Sequence, residues 1–212
     1  MPRPEKSSKP ADLWNELKRQ SIQQAVIRLM ERDGLKGVTM ERVAQETGIA
    51  KGTVYLHYRD KQDLLEAVKE SSLDPLTRQL HEILRGSASP EHKLRALVLC
   101  YLGYFDENRD LFRILLYERE VTRVTGDRYQ NDRYRNLIDG TARVIREGMR
   151  KRVFRSVDAR HVAAMFIEST VGLMNQRLMD ESPRSVNADA ELVADIFLAG
   201  LAPVANRRRG AA

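Results

Sequence analysis

Cysteine is almost absent from this chain of 212 residues, and its scarcity limits the chemistry that the chain can support. The single cysteine, Cys100, lies in the apolar segment LRALVLCYL. One cysteine cannot form a disulfide framework or a cysteine metal cluster, so we expect Cys100 to fill space in the core. The sequence also lacks a run of about 18 apolar residues and an N-terminal apolar stretch typical of signal peptides. We therefore expect a cytoplasmic protein with no membrane segment.

The motifs of common enzymes are missing as well. The four histidines show no HExxH or other metal-ligand spacing; they are His57, His81, His92 and His161. The sequence contains no G-x-S-x-G, no Walker loop and no dinucleotide-binding glycine pattern. These absences argue against the alternative class, an all-helical hydrolase or transferase. We expect no enzymatic activity, no cofactor and no metal.

Hydrophobic residues make up 42% of the chain, which is enough for a substantial core. Nearly every segment repeats them at spacings of three and four, and no strand-like alternation is long enough to matter. The spacing predicts an all-α fold. The net charge of +6 is compatible with a nucleic-acid partner. Because the Lys and Arg residues are spread along the whole chain, this charge alone is weak evidence.

Proline, glycine and Asn/Asp positions divide the chain into segments. Residues 1–10 have the composition of a flexible arm, and residues 206–212 that of a flexible tail. Residues 11–72 are predicted to form one domain, which begins with a helix over about 11–32 with Leu13, Leu17, Ile22, Val26 and Leu29 facing inward. A second all-helical domain is expected over 73–205, with helices at 75–85, 90–107, 109–120, 128–151, 158–180 and 188–205.

The segment from Thr39 to Lys61, TMERVAQETGIAKGTVYLHYRDK, predicts a helix-turn-helix over about 39–58. Thr39 can cap its first helix, and Gly48 supplies the positive φ that a tight turn between helices requires. The second helix is very short. Its apolar residues Val54 and Leu56 are expected to anchor it to the rest of the domain.

The remaining residues of this segment have side chains suited to a DNA groove. Lys51 can donate to a guanine edge or a phosphate, Gly52 lets the backbone approach a base, and Thr53 offers a hydroxyl and a methyl group. The alternative is that the tyrosines are core aromatics, but a helix this short buries little surface. We predict a DNA-binding surface of Thr39, Lys51, Gly52, Thr53, Tyr55, His57, Tyr58 and Lys61.

A wider set of residues resembles the TetR family of bacterial repressors. The resemblance covers roughly residues 15–70 and is carried by Ile22, Ala25, Gly34, Thr39, Val43, Ala44 and the segment 47–65, TGIAKGTVYLHYRDKQDLL. It implies a homodimer whose two heads bind adjacent major grooves of a palindromic operator on double-stranded DNA. It also implies that a small-molecule effector releases the DNA, and it places the eight DNA-binding residues named above at the family's contact positions. The family often has a serine where this sequence has Ala50. The second helix of the helix-turn-helix, which is the recognition helix, should therefore be less firmly capped.

The resemblance is looser in the second domain, where it implies that the last two helices pair with their twofold mates as a four-helix bundle. The expected interface residues are Val171, Gly172, Met174, Leu192, Ile196 and Leu201. An effector cavity is expected to be lined by Tyr101, Tyr104, Phe105, Phe112, Leu116, Met165, Phe166 and Glu168. The alternatives are that most of these are core residues, and that a protein partner, or no effector at all, controls the chain.

Overall fold

The computed structural model describes residues 10–117, 132–180 and 184–203. Within these ranges the regular elements are helices, so the predicted all-α fold class is confirmed. None of the described helices is long and apolar enough to cross a membrane. The predicted arm up to residue 9, the tail, residues 118–120 and 128–131 of two predicted helices, and the predicted helix end at 204–205 lie outside the described residues.

The helices agree with the predicted segments to within a few residues where both are described. They are α1 Pro10–Asp33, α2 Met40–Thr47, α3 Lys51–His57, α4 Lys61–Ser72, α5 Asp74–Arg85, α6 Pro90–Glu107, α7 Arg109–Tyr117, α8 Asp132–Arg150, α9 Ala159–Met179 and α10 Val186–Leu201. A short 3-10 turn, Leu35–Gly37, separates α1 from α2. Side-chain caps begin several of them: Ser89, Asp158 and Ser185 each accept a hydrogen bond from a backbone N–H of the first turn.

The chain divides into two compact units, and the described part of the first unit comprises residues 10–72 and 110–117. The second comprises the described residues of 73–109 and 125–212. One division between the units lies between Ser72 and Leu73. However, the sequence assigned all of α7 to the second domain, whereas its residues from Asp110 onward group with the first unit. Helical periodicity shows that α7 has an apolar face but does not show which core receives it.

The first unit has its core between α1, α2, α3 and α4. From α1, Ile22, Val26 and Leu29 are buried in this core, as predicted. The first turns of α1 differ from the prediction, because Leu13 and Leu17 are half-exposed instead of inward-facing. On a helix, their positions lie on a different face from the buried stripe, since each residue adds about 100°. Trp14 is also exposed.

In the second unit, α8 packs on α9, α6 and α5, and α10 packs on α6 and α9. Gly140 of α8 permits close packing on α5, because a Cβ atom at this position would lie 2.6 Å from a methyl carbon of Leu84. A buried charge cluster fixes the position of α10. The Arg177 guanidinium donates to Asp189 at 2.5 Å and to Asp106 at 2.7 Å, which joins α9, α10 and α6. Leaving one of these charges without its partner would be strongly destabilising.

Candidate functional site

The turn between α2 and α3 has the geometry that the sequence predicted. Gly48 has φ +70°, in the left-handed region, and ends α2. The next amide, that of Ile49, donates to the carbonyl of Ala44 at 3.2 Å. At the other end of α2, the Thr39 hydroxyl accepts a hydrogen bond of 3.2 Å from the Arg42 amide. Thr39 therefore has a structural role at the start of α2.

Two buried residues hold α3 in place. Val54 is completely buried, and Tyr58, directly after the helix, is only 4% exposed. The Tyr58 hydroxyl accepts a hydrogen bond of 3.1 Å from the Gln23 side chain of α1, and burial raises its pKa. The expectation that Tyr58 reaches a phosphate is therefore wrong for this structure. Its ring packs in the core because it lies four residues after Val54, on the same side of the helix.

The opposite side of α3 is open. Gly52 and Leu56 lie four residues apart on this side, and Leu56 is 84% exposed. The prediction that Leu56 anchors the helix is thus wrong, because about 200° separates its direction from that of Val54. A Cβ atom added at Gly52 would meet nothing within 4 Å. At the N-terminus of α3, Ala50 makes no side-chain capping bond, as its residue type predicted.

Lys51 is held at the start of α3 by two neighbours. Its ammonium pairs with the Glu41 carboxylate of α2 and lies 5.7 Å from the centre of the Tyr55 ring. The hydrogen bond between the two charges raises the pKa of Lys51 and lowers the pKa of Glu41. Tyr55 itself is half-exposed. The pair and the ring together hold one cation at the margin of the outer side of α3. Thr53, about 200° from Lys51 around the helix, is partly buried.

Two basic residues of α1, which the sequence reasoning did not include, lie near the end of α3. Burial, and then the charges of Arg19 and Lys18, lower the pKa of His57. The lowered pKa favours the neutral form of His57, whose ring can donate one hydrogen bond and accept one. Both basic residues are exposed on the polar side of α1. Their charge was visible in the sequence, but their distance from His57 depends on how α1 packs.

Lys61, the predicted phosphate contact at the beginning of α4, makes a hydrogen bond within the first unit. Its ammonium donates a hydrogen bond of 3.0 Å to the carbonyl of Leu35, in the 3-10 turn. The residue is partly buried. One function of Lys61 is thus to connect the beginning of α4 to the 3-10 turn that follows α1. Of the eight predicted DNA-binding residues, the structure brings Lys51, Gly52, Thr53, Tyr55 and His57 together on α3, and it places Thr39, Tyr58 and Lys61 at its supports.

The predicted effector residues are only partly brought together. Tyr101 and Phe166 line a small apolar cavity in the second unit, whose other lining residues are Leu80, Leu97, Leu137, Ile167 and Thr170. Phe105 is buried between Tyr101 and Tyr104, with ring centres 5.0 and 6.2 Å away. Glu168 contacts the hydroxyl of Tyr134, a residue that the sequence reasoning missed. Met165 is 62% exposed and does not line the cavity. Phe112 and Leu116 belong to the first unit.

The predicted interface residues divide into two groups. Val171, Met174 and Leu201 are buried within the chain itself, so their side chains are not available to a partner. Gly172, Leu192 and Ile196 are exposed, as an interface requires. Heptad spacing could not separate the groups, because α9 and α10 are apolar on more than one face.

Among the described residues, no group of three or more His, Cys, Asp or Glu side chains could hold a metal ion. Two family models match the chain. The model described as "Bacterial regulatory proteins, tetR family" matches residues 22–68, which include α2, α3 and most of α4. The model described as "Tetracyclin repressor-like, C-terminal domain" matches residues 87–201, more than half of the chain.

Individual relatives give the same picture. A nucleoid occlusion factor of Edwardsiella ictaluri is 29% identical over 99 residues, 46% of this chain and 50% of the relative. An HTH-type transcriptional regulator of Staphylococcus aureus is 29% identical over 122 residues, 57% of this chain and 63% of the relative. The chain thus spans between half and two thirds of these two relatives. A solved TetR/AcrR-family structure from Thermobifida fusca has a TM-score of 0.71 at 21% identity, and the match covers 86% of this chain and 97% of that one.

Tyr55, within α3, and Tyr58, directly after it, should differ in how the loss of the hydroxyl group affects stability. Tyr58→Phe removes the hydrogen bond from Gln23 and should lower the free energy of unfolding by about 1 kcal/mol. Tyr55→Phe, at an exposed position, is the matched control and should leave stability unchanged. Urea unfolding followed by circular dichroism measures both. Equal stability of the two variants would show that the buried hydrogen bond does not hold α3.

Proposed function

Because the chain belongs to the TetR family of bacterial regulatory proteins, we propose that it is a homodimeric repressor of transcription that binds a palindromic operator. Members of this family bind DNA and form dimers, and they are transcriptional regulators and not enzymes. The further part of the proposal is that a small-molecule effector releases the operator. The observation that carries the DNA-binding role is the exposed side of α3. Lys51 lies at its margin, and Gly52 leaves the helix backbone uncovered by a side chain.

The proposed DNA surface is the outer side of α3 together with the basic residues beside it. The major groove of B-DNA admits one α-helix, and contacts to phosphates position that helix. Gly52 lets the helix backbone approach the base edges, because no Cβ atom stands between them. Lys51 would exchange Glu41 for a phosphate or a guanine edge, whereas Lys18 and Arg19 would contact the flanking backbone. His57, at the end of α3, lies close enough to Arg19 and Lys18 for their charges to lower its pKa.

The proposed dimer surface lies on α9 and α10. Met165, Gly172 and Met179 follow one another at intervals of seven residues, so they share one face of α9. Leu192 and Ile196, four residues apart, form an exposed apolar strip on α10. Burial of these apolar side chains against a partner would remove them from water. A second copy of the chain, related by a twofold axis, would cover both strips at once and form a four-helix bundle.

The proposed effector site is the cavity beside Tyr101 and Phe166. Its free volume of about 10 Å³ would hold roughly one water molecule. Because pockets for drug-sized ligands measure roughly 300 to 1,000 Å³, an effector would have to bind a conformation in which the lining helices have moved apart. Such a ligand favours the expanded conformation by its difference in affinity for the two states, which is the basis of induction. The partly buried Glu168 and Tyr134 would supply polar groups near the apolar wall.

The salt dependence of operator binding tests the DNA surface, with a duplex obtained by selection from random sequences. Lys51→Ala should weaken binding and lower the log-log slope of affinity against salt by about 0.9 for each phosphate that the variant no longer binds. Lys151→Ala is a matched control, because Lys151 is equally exposed and also pairs with a glutamate, but lies in the second unit. If Lys151→Ala lowers the slope as much as Lys51→Ala does, the result contradicts the placement of the DNA surface on α3.

Introducing a charge into the proposed dimer surface should separate the protomers. Ile196 is 63% exposed, and Ile196→Asp places a carboxylate where a partner helix would bury it. Analytical ultracentrifugation at micromolar concentration should show a dimer for the unmodified chain and mainly the 24.3 kDa monomer for the variant. Leu99→Asp, an exposed position on α6, should leave the dimer intact. A dimer that survives Ile196→Asp would refute the assignment of α10 to the interface.

A further inference from the structure

Leu56 is the most exposed large apolar side chain on the described residues of the first unit. It lies in the last full turn of α3, and about 84% of its surface is in contact with water. The buried side of the same helix carries Val54, so Leu56 contributes little to the hydrophobic core. An exposed leucine is ordinary by itself. Its position on the centre of the outer side of a recognition helix needs a further explanation.

The surroundings of Leu56 identify what could cover it. Gly52, one turn earlier on the same side, has open space where a side chain would be. Lys51 and Tyr55 lie together at one margin of this side, and Arg59 lies exposed just beyond the helix. The centre of the surface is thus apolar, and its margin is basic and aromatic. A polyanion complements this arrangement if one of its grooves exposes an apolar group, because its charges can then meet the basic margin while the apolar group meets the centre.

We propose that Leu56 determines operator sequence by packing on the C5-methyl group of a thymine in the major groove. This inference rests on the DNA-binding role proposed above and assigns one base preference to one side chain. Among the groups at the major-groove edges of the four bases, the thymine methyl is the apolar one. Because Gly52 lets α3 approach closely, the leucine methyl groups can reach this edge. A polar base edge at the same place would lose water without gaining a hydrogen bond.

The proposal predicts that one thymine in each half-site matters through its methyl group alone. Deoxyuridine differs from thymidine only in lacking this methyl and keeps every hydrogen-bonding group. Replacing the critical thymine in one half-site should raise Kd about fourfold, the equivalent of returning one methyl group to water. Replacement in both half-sites should raise Kd about 15-fold, since the same effect then applies once in each half-site.

The experiment begins with selection of a duplex from a random-sequence library by the full-length protein. Each thymine of the selected duplex is then replaced by deoxyuridine, and Kd is measured for the unmodified chain and for Leu56→Ala. The variant should bind the original duplex more weakly and should show no further weakening at the critical position. Because Leu56 is exposed, its truncation should leave the thermal melting temperature unchanged. Leu99→Ala, which removes an exposed leucine from the second unit, should retain the full deoxyuridine effect.

The possible results separate this inference from the proposal on which it rests. Failure to select any sequence would refute sequence-specific DNA binding, and the role of Leu56 with it. A selected duplex without an effect of deoxyuridine would refute only the methyl contact. The same holds if Leu56→Ala retains the effect, because the methyl group would then contact another residue. A deoxyuridine effect that disappears in Leu56→Ala and persists in Leu99→Ala would support the proposal.

Discussion

The orientation of α3 depends on the burial of Val54 and Tyr58. A helix of seven residues is too short to be stable in water by its own hydrogen bonds, so tertiary contacts have to hold it. Val54 is buried in the core of the first unit, and Tyr58 is fixed to Gln23 of α1 by a hydrogen bond. With these two residues turned inward, the direction of every other side chain of α3 follows from the helical rotation.

This constraint explains which residues lie on the exposed side of α3, opposite Val54. Gly52 and Leu56 face outward because they lie opposite Val54, and Lys51 lies at the margin, where Glu41 can reach it. A carboxylate beside the binding cation repels an anionic partner. However, an exposed ion pair is worth little in water, so a phosphate can replace Glu41 at small cost. In the free chain the pair keeps the lysine in position.

The sequence was sufficient to predict the helices and the Gly48 turn, because these depend on local periodicity and backbone conformation. It was insufficient where a residue type suits two environments. Tyr58 was predicted as a phosphate contact and is buried, whereas Leu56 was predicted as an anchor and is exposed. Met165 is apolar enough for a cavity but lies on an outer face of α9. Only the packing of whole helices decides such cases.

Chemical protection of the selected duplex tests most directly whether α3 enters the major groove. Dimethyl sulfate modifies guanine N7 in the major groove and adenine N3 in the minor groove, so it reports both grooves in one experiment. We expect protection of guanine N7 in two patches roughly one helical turn, about 10 base pairs, apart, with adenine N3 still reactive in those patches. Protection of adenine N3 with reactive guanine N7 would contradict it, since the outer side of α3 would then not face the major groove.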